Sequence, residues 1–113
     1  MIGGMILGGD PSESQLIVRA LGPSLADRGL NEVLTDPTLD LRNANGDRVI
    51  FNDNWQDDSA QAAFIESHGL APERATEAAV VASLLPGQYT AIVAGVGGSV
   101  GLALVELYAV EPQ

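Results

Sequence analysis

Glycine and proline interrupt this chain wherever it becomes apolar, and that punctuation constrains its fold more than any other feature. Thirteen Gly and six Pro are spread over 113 residues, while aromatics make up only 4%. Gly permits the positive φ of tight turns, and Pro fixes φ and removes a ladder donor, so apolar runs bounded by them end as short strands. Residues 1–7 are such a run, stopped by Gly8, Gly9, Asp10 and Pro11. Residues 15–21 (QLIVRAL) are rich in branched side chains and stop at Gly22 and Pro23. Residues 38–42 (TLDLR) alternate, residues 43–47 (NANGD) contain an Asn-Gly turn signal, and residues 48–52 (RVIFN) resume, which predicts a hairpin. Three further strands are predicted over residues 79–85, 89–96 and 101–110, joined by Pro86-Gly87-Gln88 and by Gly97-Gly98-Ser99.

Helical signals are few. Residues 24–34 carry Leu25, Leu30, Val33 and Leu34 at irregular spacing and predict at most one turn packed over an edge. Residues 59–68 (SAQAAFIESH) predict the one real helix, with an acidic N-cap at Asp57 or Asp58, Phe64 and Ile65 facing inward and Gly69 as the stop. Seven short strands and one helical crossover make an all-β chain. The expected fold is an antiparallel β-sandwich, Ig-like or jelly-roll-like, forming a single domain over residues 1–113.

Charge narrows the partners. Fifteen acidic residues face five Arg, with no Lys and a formal net charge of -10, the wrong sign for binding nucleic acid. Hydrophobic residues reach 46%, enough for a packed core and too many for an acidic disordered tail. The apolar runs are too short and too interrupted to cross a membrane as a helix, so no membrane insertion is expected. Zero Cys removes disulfides, thiolate catalysis and sulfur-ligated metals. Without Lys there are no Lys–Asn isopeptide bonds either, so any fibre built from this chain is held by strand pairing, packing or bridging ions.

One pattern does not suit an isolated sandwich. Strands that show one face to water alternate apolar with polar, yet AVVASLL, AIVAGV and GLALVELYAV are apolar on both faces. Either the helix and long loops cover their outer faces, or neighbouring copies of the chain do.

Catalytic signals are thin. His68 is the only His and sits where a helix C-terminus favours it, so it is read as a cap and the chain as a non-enzyme. Asp57 and Asp58 are adjacent and point apart, unlike a glycosidase pair, and Trp55 alone is nearby. The cluster Gly95, Gly97, Gly98 and Gly101 lacks the strand-turn-helix context of a dinucleotide loop and is read as a hairpin turn. The one constellation with chemical promise is Asn52, Asp53, Asn54, Asp57 and Asp58, an oxygen-rich loop suited to calcium, with Asp36 and Asp40 as candidates to join it across the sheet. Equally, an Asx-rich loop hydrogen-bonds its own backbone and caps the next helix.

The blocks RALGPSL, DPTLDL, FNDNWQDD, GLAP, LPGQYTAIV and GLALVELY, in this order over nearly the whole chain, resemble a poorly characterised module found near the C-termini, often in tandem, of large secreted or surface proteins of environmental bacteria. More loosely, the DPTLDL, NDN and LPGQYTAIV blocks are similar to pre-peptidase C-terminal domains, small β-sandwiches that bind calcium. The resemblance implies an extracellular or cell-surface setting and no defined activity. It also implies that a strand-like stretch usually precedes the IGG segment and is missing before Met1, leaving an edge that a neighbour's strand would fill. The candidate self-association residues are Met1, Ile2, Met5, Ile6 and Leu7 in the first strand and Leu102, Leu104, Leu107, Tyr108 and Val110 in the last. The expected function is therefore a structural subunit of a filament or surface array, built from copies of itself by strand exchange or edge pairing. The alternative is a calcium-stabilised accessory module that binds a polysaccharide or surface protein.

Overall fold

The computed structural model describes residues 1–8 and 14–110, and among them it forms two antiparallel sheets packed face to face. The first sheet has the order β1-β6-β3-β4, with β1 Ile2–Leu7, β3 Pro37–Asn43, β4 Arg48–Asn52 and β6 Gly87–Gly95. The second has the order β5-β2-β7, with β2 Ser14–Leu21, β5 Ala78–Leu84 and β7 Leu104–Ala109. Seven strands thus form a β-sandwich. Their inner faces meet in a core that includes Leu16, Val18, Leu39, Leu41, Val80 and Val93.

Only β3 and β4 form a hairpin. Asn43 Oδ1 accepts from the amides of Asn45 and Asp47, and Gly46 takes φ 84° at the turn. Every other connection crosses from one sheet to the other. The hairpin expected at Gly97 and Gly98 is accordingly an arch: the 3-10 turn Val96–Gly98 leads β6 out of the first sheet and β7 begins in the second. Leu102, expected inside the last strand, instead makes an isolated parallel bridge with Val33. Turn chemistry marked where the chain bends, but which sheet each strand joins is decided by long-range packing.

The helix α2, Ser59–Ser67, forms where the sequence places it and carries the chain from β4 across to β5. Asp58 is its N-cap and accepts from the amides of Ala60 and Gln61. Its C-terminus is closed by Gly69 at φ 70°, with the amides of Gly69 and Leu70 returning to the carbonyls of Glu66 and Ile65. Ile65 and Ala62 pack on Ile17, Ala79 and Val110, together with Trp55. This covers the outer face of the second sheet and accounts for the two-faced apolar character of β5. The expected turn over an edge is α1, Pro23–Ala26. No described helix is long and apolar enough to cross a membrane.

A buried glutamate organises one end of the sandwich. Glu77 is fully buried, and its Oε2 accepts from the amides of Gly22 and Ser24 and from the Ser24 hydroxyl, at 2.9, 3.0 and 2.7 Å. Its Oε1 accepts from the Arg74 amide at 3.3 Å, and its own carbonyl accepts from the Trp55 amide. The carboxylate thereby ties the end of β2 and the start of α1 to the approach to β5. Glu77→Ala would leave these buried donors without an acceptor, and a loss of about 3 kcal/mol or more is expected in urea denaturation.

Candidate functional site

The oxygen-rich loop leaves the end of β4 and shapes itself with half of its own side chains. Asn52 is buried; its Oδ1 accepts from the Ala79 amide at 3.1 Å, and its Nδ2 donates to the Asn54 carbonyl. Asp57 Oδ2 accepts from the Asn54 amide, and Asp58 caps α2. Asn52, Asp57 and Asp58 therefore have structural partners. Asp53 and Asn54 do not: Asp53 Oδ1 and Asn54 Oδ1 are buried without a hydrogen-bond partner among the described residues, as is Asp36 Oδ1 just before β3. Asp40 does not join them, because Arg42 and Arg48 both bind its carboxylate, and their hydrogen bonds hold it below the usual Asp range.

Asp36 and Asp53 crowd each other. Burial, followed by the charge and hydrogen-bonding contact of Asp36 and the charge of Asp57, pushes the Asp53 carboxyl above its ordinary value. Two carboxylates and an amide oxygen form a donor set that suits a hard cation. Among the described residues no three His, Cys, Asp or Glu side chains gather in one metal-binding group. A raised Asp53 pKa means that ionising this side chain costs stability. The cost is absent below the unfolded value of 3.8 and enters as pH rises through the folded value. In chelator at neutral pH, Asp53→Asn should melt higher than the parent, and the gap should close on acidification; thermal melts of both proteins over that range check it.

The second candidate region is the side of the sandwich bounded by β1 and β7. On the opposite side, formed by β4 and β5, one of the two edges is closed. There the free backbone of β5 is capped by side chains, with Asn52 Oδ1 on the Ala79 amide and Gln61 Oε1 on the Val81 amide. Among the described residues no side chain caps the free backbone of β1 or β7. Leu107 lies in register with the fully buried Val18 and so faces the inter-sheet core, yet it is 40% exposed because no strand closes this side. A groove of about 330 Å³ runs there between Met1, Gly3 and Met5 on one wall and Leu104, Val105 and Leu107 on the other.

Eight of the self-association candidates lie on or beside this side, and two do not. Met5 and Leu7 are half-buried against the core, whereas Ile2 and Ile6 are 72% and 77% exposed, and Met1, Leu102 and Leu104 are also exposed. Tyr108 packs towards α2 and Val110 is buried beneath it, on the other face of the second sheet. The residues missed in the sequence are Glu77 and Gln61. Glu77 had a signal of a kind, a lone acid directly ahead of an apolar strand; Gln61 on a helix face had none. Compared with protein-family models, curated proteins and solved structures, the chain matches none.

Proposed function

We propose that this chain is a non-enzymatic structural module that joins copies of itself through the open β1/β7 side, as a subunit of an extracellular filament or surface array. The observation that carries this reading is the contrast between the two sides of the sandwich. Proteins blunt free strand edges with charge, proline, bulges or cover. Here β5 is capped by Asn52, Gln61 and α2, and the neighbouring edge β4 carries the charged Arg48, while β1 (IGGMIL) has no charge and no proline. The one charged side chain of β7, Glu106, is held by Arg19. On a chain with net charge -10 this side is therefore almost free of the repulsion that keeps copies apart. Because β1 and β7 are different strands, a contact between one copy's β1 and the next copy's β7 is heterologous, and it runs on as a filament when its rotation does not close into a ring. The extracellular setting rests on the motif resemblance. His68, the only His, is taken up as the C-cap of α2, with Nδ1 on the Phe64 carbonyl.

A bulky label tests the location. Leu104→Cys carrying a maleimide adduct should leave the chain monomeric in light scattering, whereas the same adduct at Ala63→Cys, exposed on α2, should leave assembly unchanged. Equal behaviour of the two labelled proteins would contradict the reading.

A second reading is favoured by the three unpartnered oxygens of Asp36, Asp53 and Asn54: a calcium-stabilised accessory module of a larger secreted protein, with a polysaccharide or surface protein as partner. A bound ion adds RT ln(1 + [L]/Kd) to stability, about 2.7 kcal/mol at a hundredfold excess over Kd. Calcium should raise the melting temperature of the parent and not that of Asp53→Asn. Equal melting in calcium and in chelator would remove the site.

A further inference from the structure

We infer that β1 is the strand that copies exchange: the β1 of one chain leaves its own β6 and takes the same place on the β6 of another. This deepens the self-association reading and rests on it. The inference begins with how weakly β1 is held. None of its six residues is buried, and it pairs with β6 alone. Its inward-facing Met5 and Leu7 are half-buried, and its outward-facing Ile2 and Ile6 lie open to solvent. Side-chain burial supplies most of what anchors a strand, so β1 is held chiefly by its ladder to β6.

The other edge strand on this side is anchored differently. From β7, Val105 enters the core, Glu106 binds Arg19, and Arg19 lies over the Tyr108 ring at 5.3 Å. Beyond it the chain continues into the buried Val110, whose amide donates to the Gln15 carbonyl of β2. Withdrawing β7 would strip a half-buried Arg19 of its carboxylate and open the second cluster beneath α2. Withdrawing β1 breaks no ion pair.

The occupant of the vacated place is defined by the structure itself. The edge of β6 seats this segment in a single register, from Ile2 opposite Ile92 to Leu7 opposite Gly87. A second copy's β1 makes the same ladder in the same register, so exchange conserves that ladder while costing association entropy. Because each copy both offers a β1 and presents a β6 edge, exchange either closes as a reciprocal dimer or runs on as an open chain.

The test uses the absence of native Cys. Met1 and Val93 exchange both backbone hydrogen bonds, so by alternation Ile6 and Gln88 form a non-hydrogen-bonded pair. Cα atoms in such pairs are about 4.5 Å apart, within disulfide reach. Both side chains are exposed, so Ile6→Cys and Gln88→Cys leave the core intact. The two single variants are mixed, unfolded together and refolded at assembling concentration, then oxidised and run on a denaturing, non-reducing gel. Exchange predicts a covalent 6-to-88 dimer, confirmed by mass spectrometry of the linked peptides. The double variant should give dimers or a ladder. If it assembles by light scattering yet runs as a monomer with an intrachain disulfide, β1 stays home: exchange is overturned and edge pairing stands. If it remains monomeric at every concentration, the self-association reading falls, and this inference with it.

Discussion

A two-layer sandwich has four strand edges, and each presents a row of backbone groups that must be paired, capped or left to water. This molecule treats its two sides unequally. On one, Asn52 and Gln61 lend side-chain amides to the free backbone of β5, and α2 lies over the adjoining face. On the other, β1 and β7 frame a groove into the core, and Leu107 remains exposed although it points inward. The backbone edge of β5 is thus satisfied internally, and those of β1 and β7 are not. The functional reading follows from that asymmetry.

The end of the sandwich near Glu77 shows how firmly the remainder is fixed. Three glycines crowd around Leu34, and a Cβ on Gly22 would stand 1.9 Å from the Leu34 carbonyl oxygen. A Cβ on Gly95 would meet Ser99 and Leu34, and one on Gly101 would meet Val33 and Leu34. These close approaches, with the donors gathered by Glu77, dock the β2–β3 and β6–β7 crossovers against each other. The two sheets are therefore held together at this end by buried polar contacts and tight backbone packing, while β1 at the side depends on its ladder. Rigid frame and loosely held strand are complementary properties for the assembly proposed above.

Much of this was legible in the sequence. Strand alternation and turn residues located the β3–β4 hairpin, and Asp58 and Gly69 bracketed α2 because capping is local chemistry. Sheet membership was not legible, since the same glycine turn serves a hairpin or an arch, and only distant packing distinguishes them. The acidic loop divided in the same way. Composition marked it, but whether Asn52 binds an ion or the Ala79 amide depends on where β5 passes. Asp36 stands beside Asp53 because β3 and β4 are neighbours, a relation the hairpin implied. Glu77 was hidden because a buried carboxylate is defined by its donors, and those on its Oε2 come from residues more than fifty positions away.

The central claim is that the open side is where copies meet. The most direct measurement is sedimentation velocity of the unmodified chain over a wide concentration range, with negative-stain electron microscopy of the heaviest fraction. The account predicts species that grow with concentration and appear as filaments or regular arrays. A single monomeric boundary at every concentration would contradict it.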